Sequence, residues 1–61
     1  MVEDLETVIS KLTWGQCYNL LESIGIRVFD EQTLGELREA ISENSKNGTL
    51  KPIDIRMEAT S

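Results

Sequence analysis

The sequence predicts an all-α fold: a small three-helix domain with a short extended connector and an extended or disordered C-terminal tail. Three observations carry that expectation. Apolar residues recur at helical spacing in three separate stretches. Two of those stretches open on a hydroxyl followed three residues later by Gln or Glu, at Thr13/Gln16 and Thr33/Glu36. Glycines stand where the second and third stretches should stop, at Gly25 and Gly48. The chain has 61 residues, so one domain is expected, with the helical body over 1–50 and the tail over 51–61.

The first helix is expected near 2–12. Val2, Leu5, Ile9 and Leu12 share a face, with Val8 at its edge, and Glu3, Asp4 and Glu6 sit in the first turn, where carboxylates suit the helix dipole. Met1 offers no cap, so the first turn should fray. The second helix, near 14–24, has Thr13-Trp14-Gly15-Gln16 as a capping box, and Leu12 and Cys17 fall where a hydrophobic staple forms. Trp14, Cys17, Leu21 and Ile24 make its central stripe, flanked by Tyr18 and Leu20. Gly25 follows as the left-handed cap residue.

Ile26-Arg27-Val28-Phe29 is β-branched and aromatic, and reads as the extended connector. The third helix, near 32–46, has two competing starts: Asp30, or Thr33 with Glu36. Its stripe is Leu34, Leu37 and Ile41, with Ala40 beside it. Asn47-Gly48 stops it, and Leu50 can fold back on its last turn. In the tail, Pro52 reads as a helix breaker, Ile53 and Ile55 alternate like a strand, and residues from Glu58 on read as disordered. Leu21, Leu37 and Ile41, each central to a stripe, are the expected core.

Acidic residues outnumber basic ones 11 to 6, for a formal net charge of −5. The excess concentrates in 30–45, where Asp30, Glu31, Glu36, Glu39 and Glu43 face the single Arg38. A basic patch of the kind that neutralises phosphates is missing, so direct nucleic-acid binding is not expected. The chain contains no histidine, the commonest general base near neutral pH, and Cys17 is the only cysteine. Mid-helix on the apolar stripe, Cys17 reads as an inert buried thiol. No catalytic residue, cofactor site or metal site is expected. No apolar run could span a membrane, and a lone thiol without a leader-like start suggests a cytoplasmic protein.

Two features remain as candidate partner-binding sites. Glu36, Glu39 and Glu43 lie within about 60° of one another on the third helix, opposite its apolar stripe. They read either as a solvated face or as a docking surface for a basic partner. Trp14, Tyr18 and Phe29 are all the aromatic residues in the chain; they read either as core or as binding anchors, with Tyr18 at the edge of its stripe the expected exposed member.

Leu20-Leu21-Glu22-Ser23-Ile24-Gly25-Ile26-Arg27-Val28, followed by Asp30, Thr33, Leu37 and Ile41, resembles the helix–extended-loop–helix families over about 13–45, of which SAP, HeH and LEM domains are examples. The resemblance implies the geometry of two helices around an extended loop. SAP and HeH domains bind DNA through basic residues near the second helix, where this chain is acidic. LEM domains bind proteins, but their Gly-Pro loop is missing here. The expected function is therefore a non-catalytic protein–protein interaction module or small regulatory adaptor. The alternative is a small acidic inhibitor of the phage or mobile-element type, mimicking nucleic acid toward a nucleic-acid-handling protein. A third reading is a nucleic-acid-binding helix–loop–helix.

About a dozen apolar positions serve a chain with no disulfide or metal staple. A homodimer or a partner-stabilised chain is therefore expected, through strand-like pairing of Ile26/Val28 and Ile53/Ile55 between copies. The alternative is a monomer whose tail packs over the helices.

Overall fold

The computed structural model describes residues 3–60 and contains four helices: α1 (Leu5–Ser10), α2 (Trp14–Ser23), α3 (Leu34–Lys46) and α4 (Pro52–Ala59). No strand occurs among the described residues. The all-α expectation holds. The three-helix count and the strand-like tail do not.

Helix α1 is shorter than the 2–12 expected. Asp4 takes the N-cap position without a side-chain hydrogen bond; Val2 lies outside the described residues. At the other end, the Lys11 and Leu12 N–H groups donate to Val8 and Ile9 carbonyls at 3.1 Å each, which tightens the last turn and ends it. Two demands stop the helix there. Leu12 turns inward and is fully buried. Thr13 must leave helical geometry (φ −81°, ψ 168°) to cap α2. The buried face of α1 is Val8 and Ile9, with Leu5 only partly covered.

Both capping boxes form. In α2, Gln16 N–H donates to Thr13 Oγ1 at 3.2 Å and Thr13 N–H donates to Gln16 Oε1 at 2.9 Å. In α3 the start at Thr33 prevails over Asp30: Glu36 N–H donates to Thr33 Oγ1 at 3.2 Å. Asp30 and Glu31 instead occupy the tip of a turn closed by Gln32 N–H donating to the Phe29 carbonyl at 3.0 Å. Gly25, at φ 83°, ends α2 as a Schellman cap: its own N–H donates to the Glu22 carbonyl and that of Ile26 to the Leu21 carbonyl, both at 3.0 Å. After α3, Gly48 (φ 87°) turns the chain so that Leu50 N–H reaches the Asn44 carbonyl at 3.0 Å, and Leu50 is buried.

The tail is the main correction. Residues 52–59 form α4, and Thr60 is its C-cap rather than part of a disordered end; Ser61 lies outside the described residues. Pro52 sits in the first turn, where its missing N–H is not needed and its fixed φ favours a helix. Ile53 and Ile55 therefore fall on opposite sides of a helix, Ile55 fully buried and Ile53 58% exposed. Pairing with Ile26 and Val28 as strands is excluded.

Helix α4 packs on α1 and α2, and α3 packs on the same two helices. Val8, Ile9, Leu12, Cys17, Leu20, Leu21, Val28, Leu37, Ile41, Leu50 and Ile55 close around one another as a single core. Leu21, Leu37 and Ile41 are in it, as expected from their stripes. Burying each such side chain stabilises the fold by about 1.5–3 kcal/mol relative to exposure, before the entropy of ordering is subtracted. Among the described residues no helix is long and apolar enough to cross a membrane.

Candidate functional site

The surface around the start of α3 collects the candidate residues, and Gln32 organises it. Its side-chain Oε1 accepts from Phe29 N–H at 2.9 Å, and its own carbonyl accepts from Trp14 Nε1 at 2.9 Å. The indole of Trp14 is half-buried and stacks on Tyr18, with ring centroids 5.7 Å apart and planes inclined by 20°. One glutamine thus ties the N-terminus of α2 to the turn that leads into α3.

Within this aromatic trio Phe29 and Tyr18 are both exposed, 55% and 38% accessible. Tyr18 is exposed, as its place at the stripe edge suggests, and Phe29 is more so. The connector alternates, with Val28 buried in the core, so its neighbour Phe29 faces outward. Tyr18, meanwhile, gives one ring face to Trp14.

Glu36, Glu39 and Glu43 are all exposed on α3. With Gln32 and Ala40 they line a shallow groove of about 340 Å³. Glu36 also has a local duty, because its Oε1 accepts from Thr33 N–H at 3.4 Å and from Thr33 Oγ1 at 3.2 Å to complete the cap. The only ion pair among the described residues joins Lys11 to Glu3, away from this face.

Arg38, the single cation of 30–45, does not neutralise the glutamates. Its Nε and Nη2 both donate to the Leu12 carbonyl, at 3.1 and 2.8 Å. The guanidinium pins α3 to the α1–α2 junction on the flank turned away from the groove. Ser42 strengthens the same flank by donating from Oγ to Glu6 Oε1 at 2.9 Å. These two contacts sort α3 into a structural side and an acidic outer side.

Cys17 is fully buried on α2. Burial pushes its thiol above the ordinary value of 9.0, while the positive charge of Arg38 and a backbone hydrogen bond pull weakly the other way. Among the described residues no group of three or more His, Cys, Asp or Glu side chains is placed to hold a metal ion.

Sequence reasoning missed Gln32 and Arg38. Gln32 stands to Phe29 as Gln16 stands to Thr13, three residues on with its side chain returning to a backbone N–H; that spacing could have flagged it. Arg38 carried no such signal, since its acceptor lies 26 residues away. No family model, curated protein or solved structure matches the chain.

Proposed function

We propose that the protein is a non-catalytic interaction module that binds a basic segment of a partner protein along the outer face of α3, with Phe29 as the apolar anchor at one end. The observation that carries this reading is the division of labour on α3. Arg38 is spent on the Leu12 carbonyl, while Glu36, Glu39 and Glu43 line the groove, with the Asp30–Glu31 tip and exposed Phe29 next in the chain. An exposed aromatic beside an acidic groove has the composition of a small recognition surface, with the ring supplying burial and the charges supplying orientation and rate. The acidic sign disfavours phosphate backbones, so the geometry of two helices around an extended loop is read here as serving protein rather than DNA.

The test uses a fluorescently labelled peptide that alternates Lys and Arg with one aromatic residue. Anisotropy should rise on titration with the protein and the affinity should fall as salt is added. Each exposed carboxylate contributes about 0.2–1 kcal/mol to such contacts, so E36Q/E39Q/E43Q should weaken binding roughly tenfold. Phe29→Ala should weaken it without changing the salt dependence. Undiminished binding by the triple variant would contradict the reading. If the target is instead a nucleic-acid-handling protein, the protein should compete with nucleic acid for it, and the same triple variant should lose the competition.

A further inference from the structure

Helix α4 is apolar on two opposite sides. Ile55 fills the core, while Ile53 and Met57, one turn apart on the outer face, are 58% and 63% exposed. They exceed Phe29 and Tyr18 and are the two most exposed large apolar side chains among the described residues. Ile53 and Met57 stand four residues apart, the spacing of neighbours on one helix face. Taking about 100° per residue, that face is bordered on one flank by Asp54 and on the other by Arg56, each about 80° from its centre.

We propose that this face is a homodimer contact, with α4 of a second copy packed parallel to it about a twofold axis. The charge pattern selects the occupant. A uniformly acidic partner would be repelled at Asp54 and a uniformly basic one at Arg56. A second α4 in parallel register carries the same balanced rim and sets Asp54 of each copy opposite Arg56 of the other, while Ile53 meets Ile53 and Met57 meets Met57. An antiparallel register would instead oppose like charges, which disfavours it. Two large side chains per copy bury far less than the roughly 1,200 Å² of a stable interface, so the dimer is weak and forms at high protein concentration. This surface is separate from the α3 groove, so the two can be engaged together.

Sedimentation of the full chain, from about 10 μM to about 2 mM in about 0.15 M salt to screen the net negative charge, reads the association directly. The weight-average mass should climb from one chain toward two across the series, and Ile53→Ser/Met57→Ser should remain a single chain throughout. Register is read by oxidative cross-linking of single-cysteine additions; buried Cys17 does not compete. Met57→Cys and Ile53→Cys should each cross-link to a second copy of itself, at least tenfold faster than Thr7→Cys at an exposed position of α1. A constant monomer mass over the whole series would overturn the proposal, as would a serine variant that still associates. Cross-linking of Met57→Cys and Ile53→Cys no faster than Thr7→Cys, or only when the two variants are mixed, would overturn it too.

Discussion

Replacing Ile55 and Ile53 one at a time by alanine tests the placement of α4 most sharply. The two residues are chemically identical and two positions apart, yet Ile55 has no exposed surface and Ile53 is 58% exposed. Ile55 meets the core from a helix that packs on α1 and α2. Gln16 Nε2 donates to the Glu58 carbonyl at 3.0 Å, and Asn19 Nδ2 donates to Glu58 Oε2 at 3.4 Å. Truncating a buried isoleucine to alanine removes burial and leaves a cavity, at about 2–5 kcal/mol. A domain of this size has a total stability of about that amount, so Ile55→Ala should leave the chain largely unfolded near room temperature. Even at the low end, a loss of about 2 kcal/mol lowers the melting temperature by roughly 8–16 °C. Ile53→Ala removes mostly solvated surface and should stay within about 0.5 kcal/mol of wild type. Circular dichroism at 222 nm during thermal and urea unfolding measures both. Equal melting temperatures for Ile55→Ala and wild type would refute the placement of α4, as would a comparable loss in Ile53→Ala.

Three further outcomes follow from named contacts. Arg38→Met should cost about 1–3 kcal/mol, because the partly buried Leu12 carbonyl loses two charge-assisted donors, and Arg38→Lys should recover only part of it; thermal melts read both. Cys17 should react slowly with a thiol reagent in the folded state and fast in denaturant. Its raised folded pKa also sets a sign for pH: the unfolded thiol ionises first, so stability holds below about pH 9 and falls as pH rises through the folded value, which alkaline urea titrations would show. E36Q/E39Q/E43Q should melt at or slightly above wild type, since glutamine keeps the α3 capping box while the mutual repulsion of the glutamates disappears; Glu36→Ala, which removes the side-chain half of that box and leaves the Thr33 Oγ1 half, should instead melt slightly lower.

What was legible in the sequence was what is local. The starts and stops of α2 and α3 depend on pairs three residues apart and on glycines with left-handed backbone, so Thr13, Gln16, Gly25, Thr33 and Glu36 announce them. Helix α4 was hidden because its signals are ambiguous at short range. Pro52 reads equally as a breaker or a first-turn residue, and apolar residues at 53, 55 and 57 fit a strand as well as a helix with two apolar sides. Tertiary docking of Ile55 decides between them. The acidic half of the candidate site was legible from spacing alone. In its aromatic half the exposure of Tyr18 was legible at the stripe edge; that of Phe29 was not, because its outward turn depends on Val28 filling the core and on the hydrogen bonds of Gln32. The inward turn of Arg38, which takes its charge away from the groove, follows from a contact across 26 residues and has no trace in the local pattern.

The central claim is that the outer face of α3, together with Phe29, binds a basic protein segment. Nuclear magnetic resonance of the isotope-labelled protein, titrated with the Lys/Arg-rich aromatic peptide, tests it residue by residue. Shifts should concentrate at Phe29, Gln32, Glu36, Glu39, Ala40 and Glu43, with α1 and α4 unmoved and the effect fading as salt rises. Shifts spread evenly over the chain, or centred on α4 and sparing α3, would contradict it.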